Sequence, residues 1–337
     1  MAKIGLVQTA HIHTPGFVKM LKARTDITVA GVYEPDDERA AKWTAELGVP
    51  RVDCYKKLLS DPTVDGIVVC GTTAQHDGVV EAVAKAGKAL FVEKPLATTP
   101  GAAWKIYTAI KEAGVVFQTG HFMRSDPVYQ FAKAQVAAGN LGTVTRVRHV
   151  NCHSGALGGW FNKEYRWFFD KAAAGGGGFY DLGCHSVDIL LYILGGAITE
   201  ATAALSGKTI VYPQIDEYGE GLMRFRDGTI GSVAAGWVSV ANPMALEISG
   251  TEGHLWVSHG KVFMVSPRSG LAGADGKRPL EASLLPAERP HAFELYLDVL
   301  VGKADKSELI PVEEALQVCL AMDAMYRGHQ IGGWVKV

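Results

Sequence analysis

The stretch Ile4-Gly5-Leu6-Val7-Gln8-Thr9-Ala10-His11-Ile12-His13-Thr14-Pro15 decides the fold. A short apolar strand runs into a polar turn. Thr14 then reads as the cap, and Pro15 as the first residue, of a helix over 15–23. The pattern repeats downstream. Strands over 27–33, 66–70, 90–92 and 115–117 alternate with helices over 36–47, 75–86 and 99–113, with a helical turn near 57–59. Gly48, Gly87 and Gly114 stand where a left-handed residue closes a helix. Strands spaced by helices of this length specify a parallel sheet covered on both faces. Ligands on such sheets bind at the carboxyl ends of the strands. The rim is therefore Gln8 to His13, Glu34, Cys70 to Thr73, and Glu93-Lys94-Pro95.

The usual dinucleotide fingerprint after a first strand is GxGxxG. Its three positions carry Gln8, Ala10 and His13 here, and only Ala10 is small. The helix that follows can still hold a pyrophosphate on its free N–H groups. Glu34 ends the second strand, where an acid binds ribose hydroxyls and repels a 2′-phosphate, so NAD is expected, with NADP left open. The pair His11-x-His13 has a second reading. Such a pair ending the first strand of a (β/α)8 barrel can ligate a metal. No further ligand is evident on later strand ends, and the later half does not repeat βα units. The expectation is no metal, with His13 filling the space of the missing glycine and His11 lying over the cofactor.

The second half changes character. A helix over 128–138 leads into a long strand over 144–152, then a loop rich in glycine and aromatics from Trp160 to Phe169. Those aromatics can stack on sugar rings or anchor the loop to the core. Next comes Gly175-Gly176-Gly177-Gly178-Phe179-Tyr180-Asp181-Leu182-Gly183-Cys184-His185-Ser186-Val187-Asp188. The glycines allow close backbone approach. Asp181, His185 and Asp188 then share one face of a helix that is otherwise apolar and ends at Gly195-Gly196. Either this is a satisfied buried polar cluster or it is an active-site wall, with His185 exchanging a proton. Strands over 201–211, 218–225, 229–237, 245–249, 254–258 and 261–265 follow, with a hairpin turn at Asp227-Gly228. Helices over 290–300 and 312–327 close the chain. This half is a mostly antiparallel sheet with one face on the motif helix. A second copy of the chain is the simplest cover for its other face.

Composition narrows the classes. With 337 residues, one large domain or two ordinary ones are expected, and the change of character near Gly120 favours two. We divide them at 1–120 and 121–337, with a late segment returning to the first. A net charge of -2 gives no case for nucleic acid or membrane surfaces. Five scattered cysteines without a CxxC pair suit a reducing, cytoplasmic setting. No stretch has the length of a membrane-spanning helix.

The segment Phe91-Val92-Glu93-Lys94-Pro95-Leu96, joined to the downstream GGG-x-x-x-D-x-G-x-H-x-x-D pattern, resembles the Gfo/Idh/MocA oxidoreductases over nearly the whole chain. Glu34 matches the family's second-strand acid, and Arg124 to Pro127 its R-x-D-P segment. Cys70-Gly71-Thr72-Thr73-Ala74-Gln75-His76 stands where the family has A-T-P-N-x-x-H. The resemblance implies an N-terminal Rossmann-type parallel sheet and a C-terminal, mostly antiparallel open sheet with helices on one face. It implies an NAD(P)-dependent dehydrogenase acting on a secondary hydroxyl of a sugar, glycoside or cyclitol, with Lys94 and His185 as the proton-transfer pair and Asp181 beside them. Cofactor contacts are expected at Thr9, Ala10, His11, Ile12, Glu34, Gly71, Thr72, Thr73, His76, Glu93 and Lys94. Substrate contacts are expected at Lys94, Arg124, His153, Tyr165, Arg166, Asp181, His185 and Asp188. A glycoside-cleaving enzyme that recycles tightly held NAD is the alternative, and a non-catalytic sugar or dinucleotide sensor a third reading. A homodimer or homotetramer through the C-terminal sheet is expected.

Overall fold

The computed structural model describes residues 1–337. The first lobe is a parallel sheet of β1 (Ala2–Val7), β2 (Ile27–Tyr33), β3 (Gly66–Val69), β4 (Ala89–Val92) and β5 (Phe117–Thr119), in the order β2-β1-β3-β4-β5. β3 and β4 are buried along their whole length, so they read as unbroken apolar runs instead of alternating ones. Helices α1 (Thr14–Lys22), α2 (Asp37–Leu47), α3 (Lys56–Ser60), α4 (His76–Lys85) and α5 (Pro100–Ala113) connect and cover them. Asp36 and Thr99 cap α2 and α5 through their side chains. Thr14 does not cap α1: it lies inside the helix, and His13 takes the cap position without a side-chain bond. β5 starts two residues later than its apolar run suggested, after Val116 has already accepted the Leu90 amide.

The second lobe opens with α6 (Pro127–Ala137), β6 (Val144–Cys152), the short α7 (Lys171–Ala174) and α8 (Gly178–Leu194). Six strands follow: β7 (Ile198–Ser206), β8 (Tyr218–Phe225), β9 (Ile230–Gly236), β10 (Met244–Gly250), β11 (His254–Ser258) and β12 (Lys261–Val265). Helices α9 (Ala292–Leu300) and α10 (Val312–Ile331) and the short β13 (Val335–Lys336) complete the chain. The sheet order is β12-β11-β10-β6-β9-β8-β7-β13, and every pair is antiparallel except β6 with β9. Element boundaries differ from the reading above most at β7, α9 and the end of α10, which runs on to Ile331. β7 covers 198–206, because the chain then wraps the Glu217 carboxylate, which accepts the N–H groups of Thr209, Ile210, Val211 and Tyr212. α9 begins at Ala292 with His291 as its side-chain cap, so Pro290 lies outside it.

α8 is the axis of this lobe. It is buried on nearly every side, packing on β6, β9, α6 and α10, which is why apolar residues surround its polar ones. The glycine run makes that seat possible. A Cβ on Gly177 would stand 1.9 Å from the Asp216 carbonyl oxygen, and one on Gly178 2.4 Å from that of Glu217. Asp216 closes the helix start by accepting the amides of Gly177 and Phe179. Late helices return to the first lobe: Phe293, Tyr296 and Leu297 of α9 pack with Ile4, Phe17 and Phe91, and Val312, Ala315, Leu316 and Cys319 of α10 pack with Val80, Ala103 and Ile106. The opposite side of α10 joins the second lobe's core through Val318, Met322 and Met325.

Candidate active site

β4 ends at Val92 and delivers Glu93 and Lys94 to the rim, followed by a cis Lys94–Pro95 peptide. Lys94 is buried, and its Nζ donates to Asp181 Oδ1 at 2.6 Å. The other oxygen, Oδ2, accepts from Trp237 Nε1 at 2.9 Å. Asp181 lies in the first turn of α8, where the helix dipole favours a negative charge. Burial pushes against ionisation of both partners, and their attraction outweighs it. Asp181 is held below the ordinary carboxylate value and Lys94 above the ordinary ammonium value.

One turn along the same helix, His185 is also buried, edge-on to the rings of His121 (5.4 Å between centroids) and Phe122 (5.2 Å). Its Nδ1 has no hydrogen-bond partner. Burial first, then the Lys94 charge, lowers its pKa well below the ordinary imidazole value. His185 is thus neutral at pH 7 and able to accept a proton, beside a cation that stabilises negative charge on oxygen.

The other expected substrate contacts divide. Asp188 is fully buried, and both its oxygens accept from Arg124, through Nε at 2.9 Å and through Nη2. Arg124 also reaches Glu314 at 2.6 Å. A bidentate guanidinium pair thus ties these two expected substrate contacts to each other. His153 is half-buried, its ring 4.9 Å from that of Trp160, and it feels the charges of Asp181 and Lys94. Tyr165 is half-buried against the second lobe's core. Arg166 is exposed and lies over Phe169, away from the buried pair's hydrogen bonds.

Along the rim, Gln8 adopts φ 62°, the left-handed turn for which glycine is usual, so the turn keeps its shape without the glycine. The Gln8 side chain fills the space over Gly71. Thr9 donates its amide and its hydroxyl to Glu34 Oε2, both at 2.7 Å, and Arg39 pairs with Oε1 at 3.1 Å. Thr72 and Gln75 cap the turn after β3 reciprocally. Thr73 is buried behind them. His76 is fully buried, its Nδ1 donating to the Leu96 carbonyl at 3.1 Å, so it braces the Lys94–Pro95 turn from below. Ala10 and His11 are covered by the aromatic loop: Trp167 Nε1 donates to the Ala10 carbonyl at 2.9 Å, and the His11 ring lies 5.4 Å from Phe168. Ile12 leans on the second lobe's core.

A dinucleotide fits this rim by a test internal to the structure. Gln8 Oε1, His11 Nε2, Thr14 Oγ1 and Thr73 Oγ1 are buried polar atoms without partners, and all stand at the ends of β1 and β3 or in the first turn of α1. Buried polar groups are rarely left so. Glu34 follows β2, where a ribose diol would lie, and its oxygens already accept from Thr9, Asp36 and Arg39.

The His11-x-His13 pair is not alone, as the reading above had it. Glu93 reaches it from the end of β4, with Oε1 accepting from His13 Nδ1 at 3.1 Å and Oε2 lying 3.9 Å from His11 Nε2. Sequence reasoning also passed over Trp237 and His121, and took Trp167 only as one of the loop aromatics. For His121 the signal existed, since it follows β5 on the same rim. Nothing in the pattern around Trp237 or Trp167 marks what their indole N–H groups bind.

Comparison with known families matches an NAD-binding Rossmann-fold oxidoreductase model over residues 3–121 and the GFO/IDH/MocA C-terminal domain model over residues 129–256. The chain belongs to the GFO/IDH/MocA family. It is 28% identical over 264 residues to scyllo-inositol 2-dehydrogenase (NAD(+)) of Bacillus subtilis, 76% of this chain and 72% of that one. It is also 28% identical over 258 residues to 1,5-anhydro-D-fructose reductase of Ensifer adhaerens, 76% of this chain and 75% of that one. Levoglucosan dehydrogenase, solved with NADH and levoglucosan, superposes with a TM-score of 0.80 at 22% identity, over 100% of this chain and 99% of that one, which shows the shared fold. As a GFO/IDH/MocA member the chain is an oxidoreductase with an NAD-binding Rossmann domain. No helix is long and apolar enough to cross a membrane.

Proposed function

We propose that this chain is an NAD-dependent dehydrogenase acting on a secondary hydroxyl of a sugar, glycoside or cyclitol. The observation that carries the reading is the buried Lys94–Asp181 pair with neutral His185 one helical turn away. Bound NAD supplies the hydride acceptor. The turn from Thr9 to Ile12, Glu34, Gly71 to Thr73 and the Glu93-Lys94 corner would hold it, while His76 braces that corner. His185 takes the hydroxyl proton as hydride leaves carbon, and Lys94 stabilises the oxygen's developing charge. Asp181 keeps Lys94 charged and aimed. His153 and Tyr165 are the polar residues of the aromatic loop side from which a sugar would be gripped. The names of relatives acting on inositol, anhydrofructose and levoglucosan support polyol chemistry.

The 1–120 and 121–337 division would then separate cofactor from substrate. The exposed sheet face carrying Arg146, Arg148, Glu220, Leu222 and Arg224 would meet a second copy. An absorbance screen at the NADH band with a panel of cyclitols, aldoses and glycosides tests the proposal. His185→Ala should lower kcat by about 10²–10⁴-fold. A panel without turnover, or a variant with unchanged kcat, overturns it. Net glycoside cleavage without net NADH would favour the recycling glycosidase instead.

A further inference from the structure

We propose that His11, His13 and Glu93 form a site for a divalent metal ion of the zinc class. Their ligand atoms all lie within 4.8 Å of one another. Two imidazoles and one carboxylate make the donor set of open zinc sites, in which a fourth position is left for an oxygen donor.

Three observations support a built site. First, Glu93 is a fully buried carboxylate that needs a cation, yet the nearest ammonium, on Lys94, donates to Asp181 instead. Besides the Lys94 amide at 2.7 Å, the Glu93 oxygens face only the two histidines. Second, His11 Nε2 is buried, unpartnered and directed at Glu93. Third, the surroundings hold the donors in place. Gly120 leaves room for the carboxylate, since a Cβ there would stand 2.5 Å from Oε2. The Lys94 amide orients that same oxygen. The rings of Phe17 and Phe122 flank His13, and those of Trp167 and Phe168 flank His11.

The His13 amide donates to His11 Nδ1 at 3.2 Å, so the metal-free ring carries its proton on Nε2. Taking an ion through Nε2 moves that proton to Nδ1 and gives up this one long bond. The site shares His11 and Glu93 with the surface proposed above to hold NAD, so ion and dinucleotide would meet there, and the titration is read on the chain free of dinucleotide.

The test uses the full, untagged chain, freed of metal with a chelator and titrated with Zn²⁺ by calorimetry. Co²⁺ serves as the spectroscopic probe. One ion per chain is expected, with visible cobalt bands that shift in His11→Ala. His13 is partly exposed at a helix start, so His13→Ala should stay folded. It should weaken Zn²⁺ binding about a hundredfold or more, given that loss of a mere supporting partner weakens metal sites about 10- to 100-fold. Circular dichroism checks its fold. No uptake by the wild type, or uptake unchanged in a folded His13→Ala, overturns the proposal. Neither dinucleotide nor sugar enters the readout, so a failed dehydrogenase assay and a failed metal titration are separate results.

Discussion

Lys94 Nζ and Asp181 Oδ1 meet at 2.6 Å across 87 positions of sequence, joining the end of β4 to the first turn of α8. Breaking such a buried pair strands a charge. Lys94→Met or Asp181→Asn alone should therefore cost about 3–5 kcal/mol. Replacing both by apolar residues should recover most of that loss, and urea midpoints of the three variants would check it. Equal losses in single and double variants would show that the pair is not coupled.

Trp237→Phe removes the donor to Asp181 Oδ2 while keeping an aromatic ring in the core. A hydrogen bond to a charged group contributes about 1.5–3 kcal/mol. With that donor gone the Asp181 carboxylate is less stabilised, so its pKa should rise. The acid limb of the kcat profile should then move to higher pH, which a pH–rate series would reveal.

Trp167→Phe deletes the bond that ties the aromatic loop to the Ala10 carbonyl. A neutral bond of about 1 kcal/mol corresponds to about a fivefold bias in the loop's position. Stopped-flow mixing with NAD should show association faster by about that factor, with the stability of the fold little changed.

Gly177→Ala should prevent α8 from seating, because its Cβ would collide with the Asp216 carbonyl at 1.9 Å. Gly78→Ala, inside α4 with nothing within 4 Å of the new Cβ, should stabilise the chain by about 0.5–1 kcal/mol. Thermal melts of the two variants should shift in opposite directions.

His149 lies fully buried between Ser186 Oγ and the Tyr129 hydroxyl, each at 2.8 Å, and burial lowers its pKa to about 3. The unfolded chain takes this proton near the ordinary imidazole value of 6.5. Below that pH the unfolded state binds more protons, so stability falls as pH drops from 6.5 towards 3. His149→Gln should flatten this acid slope in a series of urea melts. His11, His121 and His185, lowered in the same direction, should keep part of it.

The first lobe was legible because β3 and β4 are apolar throughout and each helix after them has a glycine or proline marking an end. The polar face of α8 was legible because Asp181 and His185 interrupt an otherwise apolar helix at one-turn spacing. Boundaries slipped where long-range contacts decide them. β7 stops early because Glu217, far along the chain, gathers the backbone of 209–212. Nothing local to Asp188 says that Arg124, 64 positions earlier, pairs with both its oxygens. Glu93 looked like half of a strand-exit motif, and only the sheet order brings it beside His11 and His13.

α10 supplies side chains to the interiors of both lobes, and α9 adds Phe293 and Tyr296 to the first. During synthesis, the lobe that begins at Ala2 must wait with apolar pockets open until residues beyond 310 have left the ribosome. A gene fragment ending near residue 120 should therefore yield a sticky, incompletely filled product. Any opening of the cleft between the lobes must bend or pivot about a helix that both hold in common.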